Sequence, residues 1–382
     1  MDITLINKQK NLYNIHTVGK YIAEYHRDVS KRKLIHIYLY NPVDNTIFEV
    51  MPGHKKSDVI EIVNAVWNSN DIYFCSFSPI SEEQIEISIY KYLISSDTEL
   101  KICSFTVGKE VFTGAVRIKA FILNDTTILL QSENLHPNAS ENRLGSIEFN
   151  LALYNMEKDA ATTIVEANFI NNGINSIIPI SDSRIMIKTG YSYLEDSRLD
   201  HANDSDALIE SVYVTTCAKF IADLTIDKDS VDMQLLESTY MDKHITNPRV
   251  SGDYIYFSVI DAANNINKCI FYNHETDERM EYAIDITDFH DLNAALIIDE
   301  MPYVRQNSGT YVNFINLKKA EIDISFDEDI FIDQIGKIFI MQDMRRSGKI
   351  RIYSYPKLKL IFNEKVNFQH ICCLNDNYYI YS

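Results

Sequence analysis

The sequence predicts an all-β chain assembled from copies of one four-stranded antiparallel unit. Two observations predict it. The first is a recurring phrase: a turn of Gly, Asn, Asp or Ser, then a short aromatic or aliphatic run. Val18-Gly19 precedes Tyr21–Tyr25, Asn68-Ser69-Asn70 precedes Ile72–Cys75, Ser251-Gly252-Asp253 precedes Tyr254–Phe257, and Asn375-Asp376 precedes Tyr378–Tyr381. Self-similarity of this kind marks a repeat architecture. The second is a hydrophobic period near two. Ile35, Ile37 and Leu39 alternate with His36, Tyr38 and Tyr40, and Ile85, Ile87 and Ile89 alternate with Glu86, Ser88 and Tyr90. Alternation over four to eight residues belongs to strands with two unlike faces.

The unit reads as four runs. First runs are apolar: Val59–Val66, Val116–Leu123, Ile174–Ile180 and Ile330–Ile335. Ser57–Trp67 has a partial helical spacing, but Val59-Ile60-Glu61-Ile62-Val63 is β-branched and favours a strand. Residues 286–298 stay ambiguous. Second runs follow a tight turn: Ile72–Phe77, Ile128–Gln131, Arg184–Lys188 and Lys337–Met341. Third runs carry an aromatic near their end and stop at Asn, as in Ile37–Asn41, Leu151–Asn155, Cys269–Asn273 and Val312–Asn316. In Ile352–Pro356 a proline takes the place of the Asn, and both residues suit the start of a turn. Fourth runs are short: Ile47–Val50, Leu100–Cys103, Ile164–Glu166, Met280–Tyr282 and Leu358–Phe362.

Four antiparallel strands at this spacing make a propeller blade. First strands begin near 12, 59, 115, 174, 246, 292, 329 and 367. Only two runs follow the last start, and Ile3–Ile6 has no blade of its own, so we expect Ile3–Ile6 to complete the last blade and shut the ring. The expectation is one domain, 1–382, of eight blades, with seven the alternative. In its Tyr-Ile-Tyr-Phe-type second strands and Asn-terminated third strands the chain resembles the broad β-propeller class over nearly its whole length. It carries no WD dipeptide, kelch-type double glycine or calcium-binding aspartate ladder, and the class implies no activity of its own.

Composition narrows the partners. Against 36 Lys and Arg stand 54 Asp and Glu, a formal net charge of -18. Nucleic-acid binding needs clustered cations. The nearest cluster, Lys31-Arg32-Lys33, reads as a solvated turn. We therefore expect no nucleic-acid partner and no membrane partner. The amino terminus has no secretion signal and no apolar stretch is long enough to span a bilayer, so a cytoplasmic protein is expected. The six cysteines, at 75, 103, 217, 269, 372 and 373, are expected within strands as reduced thiols.

Two second-to-third-strand connections are long and belong to adjacent units: Ser132–Arg143 and Gly190–Asp206. Loops of that length in compact folds are often functional. From them the expected ligand-binding residues are Glu133, His136, Arg143, Tyr191, Tyr193, Glu195, Arg198 and His201, an aromatic surface with a few polar groups. Asp196, Asp200, Asp204 and Asp206 surround His201, but their spacing matches no metal loop. Neither a metal nor a cofactor is expected. His16, His54, His244, His290 and His370 fall in or near first strands and read as structural. No G-x-S-x-G elbow, phosphate loop or H-E-x-x-H occurs. The reading is a non-enzymatic module binding a protein, peptide or glycan. The alternative is a hydrolase or lyase with an axial site drawn from several blades, using residues such as Glu133, Glu195 and His201.

Overall fold

In the computed structural model every residue is described except 1–2, 7–13, 19–20, 29–32, 42–45, 51–58, 63, 66–71, 83, 94–95, 97, 109–114, 125, 136–146, 156–159, 166–172, 182, 191–209, 226–232, 240–242, 287–291, 344, 346–347, 367–369, 375–376 and 382. The strands come in chain order. After β1 (Ile3–Ile6), the first four-stranded sheet is β2 (Asn14–Val18), β3 (Tyr21–Asp28), β4 (Lys33–Asn41) and β5 (Thr46–Val50). The second uses β6 (Val59–Ile62), β8 (Ile72–Pro79), β9 (Gln84–Leu93) and β10 (Thr98–Gly108), with β7 (Asn64–Ala65) lent in parallel to the third. The third is β11 (Ala115–Asn124), β12 (Thr127–Leu135), β13 (Ile147–Asn155) and β14 (Ala160–Val165). The fourth is β15 (Ile174–Pro179), β16 (Arg184–Thr189), β17 (Glu210–Thr216) and β18 (Gln234–Thr239).

The fifth sheet splits its inner strand into β19 (Lys243–Ile245) and β20 (Arg249–Ser251), both paired with β21 (Tyr254–Asp261), and continues through β22 (Ile266–Asn273) and β23 (Arg279–Asp285). Pro248 lies at the break, where its missing N–H cannot serve the ladder. The sixth is β24 (Ala295–Ile298), β25 (Met301–Ser308), β26 (Tyr311–Asn316) and β27 (Glu321–Asp327). The seventh is β28 (Asp329–Ile335), β29 (Ile338–Asp343), β30 (Lys349–Ser354) and β31 (Lys359–Lys365), and the eighth joins β32 (His370–Leu374) and β33 (Asn377–Tyr381) to β1. This is a β-propeller fold: consecutive strands pair antiparallel within each sheet, and each sheet follows the last in chain order. Residues 286–298, ambiguous in sequence, resolve at their end into β24.

The described chain forms two compact units. One comprises Asn11–Met241 and the other Met1–Lys10 with Asp242–Ser382. Within the second unit, one core cluster joins the fifth and sixth sheets through Tyr256, Phe271, Ile297 and Val304. A second joins the sixth and seventh through Phe314, Phe326, Phe331 and Phe339, and a third joins the seventh and eighth through Ile340, Ile352, Tyr378 and Ile380. Each sheet thus buries a face against the next, which an isolated blade cannot do. β1 pairs with β33 in register Ile3↔Tyr378 to Ile6↔Tyr381, and the pair runs parallel rather than antiparallel.

The Asn that ends third strands has a specific task. The Asn273 side-chain oxygen accepts the Glu275 and Thr276 amides, each at 3.0 Å. The Asn316 oxygen accepts those of Lys318 and Lys319 at 3.0 and 3.2 Å. Both are Asx turns, which carry the chain from the third strand into the fourth. Asn316 is 1 % exposed, and its amide also donates to the Tyr303 hydroxyl at 3.1 Å. Asn316→Ala is expected to cost about 2 kcal/mol, because it strands several buried polar groups at once. Urea unfolding checks this, and a loss below about 0.5 kcal/mol sinks the account. At the equivalent place in the seventh sheet the Tyr355–Pro356 bond is cis.

Among the described residues one element departs from the all-β expectation. Helix α1 (Cys217–Thr225) lies between β17 and β18. Thr216 caps it, its hydroxyl accepting the Lys219 amide at 3.2 Å. Phe220 and Leu224 are buried in the cluster shared by the third and fourth sheets. Cys217 is therefore the first helical residue, not a strand residue. Cys217, Phe220, Ile221 and Leu224 recur at helical spacing, so packing of that stripe overrides the strand pattern around it. No helix of the described residues is long and apolar enough to cross a membrane.

Candidate functional site

The sequence-predicted loop residues fall largely beyond the described chain. His136, Arg143, Tyr191, Tyr193, Glu195, Arg198 and His201 lie outside the described residues. Glu133 is placed, but in a strand rather than a loop. β12 runs on to Leu135 because β11 and β13 stay long enough to pair it, with Glu133 opposite Arg117 and Phe149. Of the first-strand histidines, His16 lies in β2, His244 in β19 and His370 in β32, while His54 and His290 lie outside the described residues. His244 is buried.

What the structure does place is the tie between the third and fourth sheets, whose strands β12 and β16 lead into the two loops. Gln131, fully buried, uses both ends of its side chain on one backbone unit of β15. Its amide donates to the Ile174 carbonyl at 3.0 Å, and its oxygen accepts the Ile174 N–H at 2.6 Å. Lys119 donates to the carbonyls of Ile174 and Asn175. Next to Ile174, Gly190 N–H donates to the Gly173 carbonyl at 2.9 Å. The middle of β12 is thereby tied to the start of β15, beside which β16 ends; the two long connections leave from beyond Leu135 and from Gly190.

A second constellation lies wholly in the unit Met1–Lys10 with Asp242–Ser382, and sequence reading missed it. A cleft of about 210 Å³ opens among the inner strands of the fifth, sixth and seventh sheets. Arg249, Asn293, Ala295, Phe331 and Asp333 come from or beside the inner strands β20, β24 and β28. Tyr256, Ser258 and Arg305 come from the second strands β21 and β25. Among the described lining residues the charges are two guanidinium groups and one carboxylate.

The two arginines differ. Arg249 stands at the mouth with its side chain 52 % exposed, 3.6 Å from Asp333 of the seventh sheet. Burial pushes the Tyr256 phenol up, and a hydrogen bond with Arg249 opposes this. Arg305 is 3 % exposed, and its guanidinium lies 4.8 Å from the centre of the Phe331 ring, a cation–π geometry. Ser258 faces Cys269 at 3.7 Å. Burial pushes the Cys269 thiol up to about 12 and also raises that of Cys217. Neither thiol carries the thiolate that nucleophilic chemistry needs. Among the described residues no group of three or more His, Cys, Asp or Glu is gathered to hold a metal ion.

A second cleft, of about 350 Å³, continues from the first, with Tyr256 as their shared wall. It is lined by the later residues of the same inner strands: Val250 and Ser251, then Ile297 with Asp299 and Glu300, then Gln334 and Lys337. Asp299 and Glu300 both take positive φ in the turn after β24. Lys337 reaches the Asp299 carboxylate at 2.8 Å. Gly336 also has positive φ, and a Cβ there would meet the Tyr378 hydroxyl at 3.2 Å, so only glycine fits this hairpin without strain.

No family model matches the chain, and no curated protein does. Among solved structures it is similar to the β-propeller domain of the trilobed protease from Pyrococcus furiosus, at 9% identity and TM-score 0.41, with 96% of each chain covered. It is similar to an uncharacterised protein of Listeria monocytogenes at 10% identity and TM-score 0.45, over 97% of this chain and 100% of the other. It is also similar to prolyl oligopeptidase B from Galerina marginata, at 10% identity and TM-score 0.47, over 94% of this chain and 52% of that one. Likeness at this level transfers no activity and no ligand.

Proposed function

We propose that the protein is a non-enzymatic ligand-binding module whose binding face is the inner-strand cleft of Arg249, Tyr256, Arg305 and Phe331. One observation carries the reading: side chains of three consecutive sheets converge on one concave cleft, where two guanidinium groups and a carboxylate stand beside the rings of Tyr256, Phe257 and Phe331, aromatic surface with polar groups to orient a ligand. Binding is preferred to hydrolysis because the lining includes an arginine pair, and the thiol behind Ser258, that of Cys269, is held protonated rather than as an activated nucleophile. A cytoplasmic protein of one domain, 1–382, with eight blades in a closed ring belongs to the same proposal. The loops bearing His136, Arg143, Tyr191, Tyr193, Glu195, Arg198 and His201, with Glu133 at the root of one, are proposed as a further contact surface for a protein or glycan. The Gln131 clamp, which ties the third sheet to the fourth and so keeps the two loop-bearing sheets together, favours that second reading.

The test is a thermal-shift panel of carboxylates, amino acids, short peptides, sugars and nucleotides on the wild type and on Asn293→Trp. Asn293 is exposed at the cleft, so a tryptophan there obstructs the opening without disturbing the core. Stabilising compounds are expected to lose at least about tenfold in affinity on Asn293→Trp, equal to about 1.4 kcal/mol. Compounds that stabilise both proteins equally, or that the protein consumes, would refute the proposal.

A further inference from the structure

We infer that the two clefts together take a short peptide with free ends, its carboxylate at Arg249 and Arg305 and its amine at Asp299 and Glu300. The inference rests on the ligand-binding reading above and names the class of ligand. Charge is the first argument. The first cleft holds two cations and one anion, and the second holds two anions, Asp299 and Glu300, and one cation, Lys337. A ligand negative at one end and positive at the other matches this polarity, whereas a simple anion matches only half of it. Arginine is the side chain suited to a carboxylate, since its planar fork can grip both oxygens.

Length is the second argument. Ala295 lines the first cleft and Asp299 the second, four residues apart along β24 and its turn. At about 3.3 Å per residue the separation is about 13 Å. An extended chain of about four residues spans the same distance. The third argument is the backbone. Among the described residues β20, β24 and β28 each pair with a single strand, so each leaves an edge of N–H and C=O groups. Peptide amides can use such edges, as in strand addition. Tyr256, Ile297 and Phe331 supply apolar wall between the charged ends.

The experiment is isothermal titration of the full chain with tetraalanine, with its carboxyl-terminal amide and with its N-acetyl form, at pH 7. Free tetraalanine is expected to bind saturably, and capping either end to weaken it at least tenfold. Arg305→Met should weaken the free peptide at least tenfold and leave the amide unchanged. Arg249→Gln, at an exposed site, repeats the test in case Arg305→Met fails to fold, as circular dichroism reports. Asp299→Asn should do the converse, penalising the free peptide but not the N-acetyl form. The inference falls if the amide binds as tightly as the free peptide. It also falls if tetraalanine fails to bind while another compound binds in a manner sensitive to Asn293→Trp; the binding module would then stand without the peptide. If nothing binds in that manner, both fall.

Discussion

Lys188→Met is expected to destabilise the protein by about 3–5 kcal/mol, among the largest losses for any single substitution here. Lys188 on β16 and Glu210, which opens β17, face each other at 3.3 Å with side chains 0 % and 2 % exposed. Removing the cation leaves a buried carboxylate without its countercharge. Neither water nor salt screens it, so added sodium chloride should change the loss little. The double variant Lys188→Met/Glu210→Leu should recover most of the loss, because a hydrophobic pair of similar size avoids the cost of burying two charges. Guanidinium unfolding of both variants measures the coupling. A single-variant loss under about 1 kcal/mol, the range of an exposed pair, would show that the pair is solvated. The consequence reaches function through position: Lys188 and Glu210 stand close to the two ends of the 191–209 connection. The pair fixes the spacing of the chain ends from which Tyr191, Tyr193, Glu195, Arg198 and His201 depart.

How much of this was legible in the sequence depends on the range of the interaction. The strands were legible because their signals are local: Val312–Asn316 carries a period of two in a few residues, and Tyr254–Phe257 is a short apolar run set off by a turn. The Asn endings of third strands were legible too, since the Asx turn is made within three residues. Helix α1 was written in the spacing of Cys217, Phe220, Ile221 and Leu224, but in a chain this rich in strand signal the stripe was overlooked. The clefts were not legible at all. Arg249, Arg305 and Asp333 belong to three different sheets, and only the packing of those sheets brings them together. Nothing in the neighbourhood of Arg305, Val304-Arg305-Gln306, separates it from a strand residue facing solvent, yet it is buried. Loop length drew attention to Ser132–Arg143 and Gly190–Asp206 instead, and length alone locates no side chain.

Arg351→Met is expected to cost about 3–5 kcal/mol at neutral pH, with a pH dependence that identifies the cause. One guanidinium on β30 holds two buried carboxylates, Asp329 on β28 and Asp343 on β29, each at 2.7 Å. The Tyr353 hydroxyl donates to the other Asp329 oxygen at 3.1 Å. Burial raises the Asp329 carboxyl above the usual range, and Arg351 and Tyr353 only partly pull it back. A carboxyl raised in the folded state binds its proton more tightly there than when unfolded. The cost of its charge is therefore present above the raised pKa and disappears below the unfolded value, near 3.9. Without Arg351 that cost grows, so the gap between variant and wild type should be widest near pH 7 and narrow as the solution is acidified. A gap that stays constant down to pH 4, measured by urea unfolding at each pH, would assign the loss to packing of the arginine stem rather than to charge. Asp329 opens the strand that carries Phe331 and Asp333, so the same guanidinium anchors one wall of the arginine cleft.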